Sequence, residues 1–117
     1  CETKRLVGCG AGNEYVAIAP SGDIYPCHQF DGDNAYKLGN VLEGTFDTTI
    51  PEEFAVNNLL CKPDCCKCWA KYYCSGGCAA NAIHYCGDIN KPYKMTCELM
   101  RKRIECAIAV NSLEKSK

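Results

Sequence analysis

The sequence predicts a small α+β domain with an N-terminal β-hairpin, an irregular cysteine-rich loop and C-terminal helices, stapled through its cysteines. Three observations carry this. Residues 14–27, "EYVAIAPSGDIYPC", alternate their side chains on either side of a proline–glycine turn. Residues 78–87 and 96–110 carry the spacing and end signals of helices. Twelve cysteines are spread along the chain, six of them in "CKPDCCKCWAKYYCSGGC" at 61–78. A length of 117 residues suits one domain or a piece of a larger protein.

Taken in order, Val16 and Ile18 alternate with Tyr15 and Ala17, and "APSG" supplies the turn of the hairpin. "FDGDN" at 30–34 reads as a loop, and "YKLGNVLEG" at 36–44 allows one or two further short strands. In "TIPEEFAVNNLL", Thr49 stands three residues before Glu52 with Pro51 in the first turn, the pattern of a capping box, so a short helix is expected to run to about Leu60. The cysteine cluster follows, in irregular backbone with one or two turns. "CAANAIHYCG" reads as a helix closed by Gly87. After the loop "NKPY", residues 96–110 form the clearest helix, with Thr96 as N-cap and Leu99, Cys106 and Val110 on one face. The tail "SLEKSK" is expected to fray.

Leu, Ile, Val and Phe together make only 22 of the 117 residues, a thin core that calls for covalent or metal staples. A net charge of −1 gives no basic surplus for nucleic acid. No segment approaches the ~20 apolar residues that cross a bilayer, and no signal-peptide pattern opens the chain. A chain that opens on Cys1 rather than Met is expected to be a mature secreted fragment or a domain cut from something longer.

Disulfides, zinc and iron–sulfur ligation compete for the cysteines. Cys65, Cys66 and Cys68 are too close to bridge one another without strain, because a disulfide sets its Cα atoms about 4.4–6.8 Å apart in a specific orientation. Residues 28–60 hold no cysteine to partner them. In Cys65-x2-Cys68 a tight turn aims two thiolates at one centre, as in zinc ribbons and iron–sulfur sites. Zinc could complete its four ligands with Cys74 and Cys78, but that leaves Cys9, Cys27 and Cys97 without a role. Two cubane clusters use up to eight thiolates, some far apart in sequence. Cys61-x3-Cys65-x2-Cys68 also has the spacing of the catalytic cluster of radical S-adenosylmethionine (SAM) enzymes. It lacks the surrounding barrel, and we read that match as accidental.

The pattern as a whole resembles the SPASM domain, the auxiliary-cluster extension of many peptide-modifying radical SAM enzymes. Cys9, a gap, Gly22, four residues and Cys27 match the start of its motif. Cys65, Cys68, Cys74 and Cys78 match Cys-x2-Cys-x5-Cys-x3-Cys at every spacing, and Cys97 fits the last cysteine. "CGAGNEYVAIAPSGDIYPCHQF", "CWAKYYCSGGC" and "GDINKPY" are similar to the maturases of SCIFF peptides, six-cysteine precursors in which a cysteine sulfur is joined to another residue's α-carbon.

The resemblance implies a crossed ligand set for two 4Fe–4S clusters. Cys9, Cys27 and Cys78 would hold the first, with Cys1 as candidate fourth ligand, and Cys65, Cys68, Cys74 and Cys97 would hold the second. Such crossing links folding to cluster assembly. It implies a cytoplasmic enzyme whose SAM-binding barrel, with a third 4Fe–4S cluster, belongs to the same full-length chain, and a Cys-rich precursor peptide as the other partner. Neither nucleic acid nor a membrane is expected. The fragment alone would not catalyse; its contribution would be electron transfer, substrate positioning, or both. Two oxidised clusters at about −2 each would take the net charge from −1 to roughly −5, to be answered by basic residues on the barrel or peptide. The rival readings are a free-standing ferredoxin-like carrier and a zinc- or disulfide-stapled binding domain.

Outside the motif, Cys106 reads as a small buried hydrophobe and Cys86 as a free thiol. Cys61 and Cys66 read as spectators or substitute ligands. His28 and His84 read as surface or supporting residues, and "RKR" at 101–103 as a solvated helix face. Trp69, Tyr72 and Tyr73 are expected to pack around the clusters.

Overall fold

The computed structural model describes residues 6–117. Four short strands, β1 (Ala17–Ile18), β2 (Asp23–Tyr25), β3 (Gly39–Asn40) and β4 (Thr45–Phe46), form an antiparallel meander in sequence order. Five helices follow: α1 (Thr49–Ala55), α2 (Pro63–Cys66), α3 (Lys71–Cys74), α4 (Ala79–Cys86) and α5 (Lys94–Lys115). The α+β class and the hairpin are as the sequence predicts.

The hairpin pairs Ala17 with Tyr25 and Ile18 with Ile24. Its turn closes where the Gly22 amide donates to the Ala19 carbonyl at 2.9 Å. Gly22 sits at φ +87°, and a Cβ there would lie 2.9 Å from Leu42 Cγ and 3.0 Å from Asn40 Oδ1. A side chain is thus excluded by both backbone and space. Buried Asn40 ties the meander together. Its amide donates to Asp23 Oδ1 at 2.8 Å and to the Ser21 carbonyl at 3.2 Å, and its oxygen accepts from the Leu42 and Glu43 amides. Lys37, 2.7 Å from Asp23, joins Asn40 and Ser21 in holding that carboxyl down to about 2.

The core gathers between the meander, α1 and α4. Phe30, fully buried, meets Phe54 edge-on at 5.9 Å, Tyr36 at 4.6 Å and the His84 ring at 4.9 Å. Ala11, Tyr25, Cys27, Ala80 and Ile89 complete it.

α1 departs from the expected capping box. Thr49 lies inside the helix, and its amide is taken by Asp47 Oδ1 at 2.8 Å. The helix stops at Ala55, short of Leu60, because the two asparagines that follow are engaged elsewhere. Asn57 donates to the Ile89 carbonyl, and Asn58 accepts from the Leu60 amide to start a new turn. α4 ends as expected on Gly87, at φ +68°, whose amide returns to the Ile83 carbonyl.

α5 begins at Lys94, so Thr96 is inside it and not its cap, and it runs through the tail to Lys115. The face expected to be buried is not: Leu99 is 71 % and Val110 55 % exposed, and Cys106 is exposed too. The buried residue is Ile104. Every residue from 105 to 117 is exposed, so only the first half of α5 packs on the domain. Tyr85 of α4 stacks on Tyr93 at 4.6 Å where α5 begins. Among the described residues no helix is long and apolar enough to cross a membrane.

Candidate metal centre

Between the short helices and α5 lies a partly enclosed pocket. Cys65, Cys68, Cys74, Cys78 and Cys97 all line it. Successive turns bring the first three together. Pro63 starts α2, the Cys65 amide donates to the Lys62 carbonyl, and the Cys68 amide donates to the Cys65 carbonyl, each at 3.0 Å. Next the Cys74 amide closes α3 onto the Ala70 carbonyl at 2.9 Å. The Lys71 ammonium pins α3 to α2 through the Cys66 carbonyl at 3.0 Å.

After Cys74 the backbone turns left-handed at Ser75, Gly76 and Gly77, with φ of 61°, 85° and 78°. Three such residues in a row need glycine at most positions, and "SGG" supplies two. The reversal carries the chain to Cys78 at the cap of α4 and presses Gly76 against Leu59, where a Cβ would meet Leu59 Cα at 3.4 Å. Cys97 comes from the first turns of α5, its amide bonded to the Tyr93 carbonyl.

Electrostatics divides the motif cysteines into the same two groups. Burial pushes the Cys65 thiol above its ordinary 9.0; the thiols of Cys97, Cys74 and Cys68 push it further, against the pull of Lys62. Cys97 is raised in the same way by burial and then by Cys74 and Cys68, while Arg101 opposes. Cys27 is raised by burial first, then by Cys78 and Cys9, against the Gln29 and Phe30 amides. Cys27 lies in the core with Cys78 packed against it, and Gln29 Nε2 donates to Cys78 Sγ at 3.6 Å. Cys9 lines a smaller pocket with Gly77 and Phe54. Cys78 therefore stands between the two groups. Cys1, the candidate fourth ligand of the first, lies outside the described residues.

Among the described residues, no three His, Cys, Asp or Glu side chains converge as a single metal ion requires. A tetrahedral zinc at 2.3 Å from each sulfur brings its ligands to within about 3.8 Å of one another. A cubane binds each thiolate through a different iron, so its ligands stand farther apart around a wider space. Five cysteines line the pocket, enough thiolates for either kind of site.

Cys61 and Cys66 do not line the pocket. Their thiols donate to backbone carbonyls instead, Cys61 to Val56 at 3.4 Å and Cys66 to Leu60 at 3.0 Å. The aromatic residues expected to cover the site are turned outward, with Trp69 54 % and Tyr73 63 % exposed and Tyr72 exposed also. His28 and His84 are exposed and line neither cysteine pocket.

The residue missed in the sequence is Lys62, buried at 1 % exposure. Its ammonium donates to the Gly76 carbonyl at 3.1 Å, joining the start of α2 to the SGG reversal. Burial pushes its pKa down, and Cys65, Cys74 and Cys78 pull it back up. Nothing in "LCKPD" marks this lysine, because its partner Gly76 stands 14 residues further on.

No curated protein matches the chain. The family model for SPASM, an iron–sulfur cluster-binding domain, matches residues 9–78. That span includes six of the seven motif cysteines and stops short of Cys97 on α5. Since it covers more than half of the chain, this protein belongs to the SPASM family of iron–sulfur cluster-binding domains.

Proposed function

We propose that this chain is the auxiliary-cluster domain of a radical SAM peptide maturase and holds two 4Fe–4S clusters. Cys65, Cys68, Cys74 and Cys97 hold one. Cys9, Cys27 and Cys78 hold the other, with Cys1 as fourth ligand. The observation that carries the reading is the meeting of the four cysteines of the second set, from α2, the link after it, α3 and α5, around one pocket that Cys78 also lines.

Clusters held by four thiolates supply one-electron transfer. The chain's own residues bind, orient and enclose. The α2 and α3 turns point three thiols inward, the SGG reversal carries Cys78 toward the meander, and Cys97 anchors α5. The barrel that binds SAM completes the enzyme, and the substrate is a Cys-rich precursor peptide in which a thioether is formed, as the likeness to SCIFF maturases suggests. The exposed apolar residues of α5, among them Met95, Leu99 and Ile108, suit a helix covered by another part of the enzyme.

The test is made in the complete enzyme. Cys74→Ala should abolish thioether formation while SAM cleavage by the barrel persists. Thioether formation at the wild-type rate in that variant would refute an auxiliary-cluster role.

A further inference from the structure

Lys62 is the only charged side chain buried among the described residues. Neither ion pair among those residues includes it. Among those residues its ammonium makes one hydrogen bond, to the Gly76 carbonyl, which occupies one of its three N–H donors. The ionisable groups acting on it are Cys65, Cys74 and Cys78 and, more weakly, Asp88.

Burying an ammonium costs several kcal/mol unless an opposite charge compensates. A methionine would fill the same space without that cost. A buried lysine here is compensated when negative charge stands beside it, and its partner Gly76 lines the cysteine pocket, which the half-buried Lys71 and Arg101 also line. We propose that Lys62 is a built-in counter-charge of the cluster sites: its buried ammonium, held by the carbonyl of Gly76 in the wall of the cysteine pocket, stabilises the additional electron on a reduced cluster and so raises its reduction potential. This role rests on the two-cluster reading above.

Lys62→Met removes the charge at similar length, and Lys62→Arg keeps it. Both are prepared anaerobically beside the wild type, their iron and sulfide measured, and the cluster potentials determined by redox titration followed by paramagnetic resonance. The Met variant should take up wild-type iron and titrate at more negative potential, with the Arg variant close to wild type. Loss of iron from the Met variant alone would also support the role, since charge and not volume then decides. An unchanged potential in an iron-loaded Met variant overturns it, as does equal loss of iron from both variants, which would make Lys62 a packing element. A wild-type protein without iron refutes the cluster reading itself, and the role falls with it.

Discussion

Cys97 on α5 and Cys65 on α2 face one pocket, and negative charge on the first raises the pKa of the second. Helix α5 has few other holds on the domain: Ile104 is its buried residue, and beyond it the helix is exposed. Cys97→Ala should therefore both remove a ligand and loosen the helix. Hydrogen exchange of the loaded protein should quicken across residues 94–104 in that variant while the meander keeps its protection. Unchanged exchange in α5 would show that packing alone holds it.

The cysteines outside the two sets should behave differently. Cys106→Ala, at an exposed position, should keep full iron content and shift stability by no more than about 0.5 kcal/mol. Cys86→Ala, at a half-buried one, should also keep its iron and cost about 1 kcal/mol at most. Cys68→Ala and Cys74→Ala should each lose about half of the iron, read by metal analysis and absorbance. Half the iron lost from Cys86→Ala with none lost from Cys74→Ala would reverse the assignment.

Protons should oppose assembly. Cys65, Cys97 and Cys27 are all raised above the ordinary thiol value of 9.0, so they are protonated near neutrality and must release protons to bind iron. Cluster uptake should be more complete at about pH 8.5 than at about pH 6.5. The cluster-free fold runs the other way. A thiol raised in the folded state leaves the unfolded chain binding fewer protons, so the cluster-free fold loses stability as pH climbs above about 9. Reconstitution that is indifferent to pH would contradict the thiol assignments.

The core prediction rests on Phe30, which touches Tyr36, Phe54 and His84 with no surface exposed. Phe30→Ala should cost about 3–5 kcal/mol, a large share of what a domain this small has. Gly22→Ala should cost more than about 1 kcal/mol, since its φ of +87° and the nearby Leu42 both reject a Cβ. Thermal unfolding of the loaded domain measures both, and a Gly22→Ala variant as stable as wild type would remove the steric account of that turn.

What was legible in the sequence was what local chemistry decides. The proline–glycine turn marks the hairpin, Gly87 marks the end of α4, and the spacings from Cys65 to Cys78 follow from consecutive turns. What was not legible depends on which surfaces meet. Leu99, Cys106 and Val110 share a helical face, yet the domain covers the side of α5 that carries Ile104. Asp47 overrides the Thr49–Glu52 box because its carboxylate reaches the first free amide. Lys62 is buried where the start of α2 meets the SGG reversal, and no pattern around it announces that.

The central claim is that these cysteines hold two clusters. Iron and acid-labile sulfide counted per chain, in protein reconstituted and purified anaerobically, test it most directly. The account predicts a brown protein with about eight of each, from two four-iron clusters. A colourless protein with stoichiometric zinc, or one whose cysteines are paired as disulfides in native material, would contradict it.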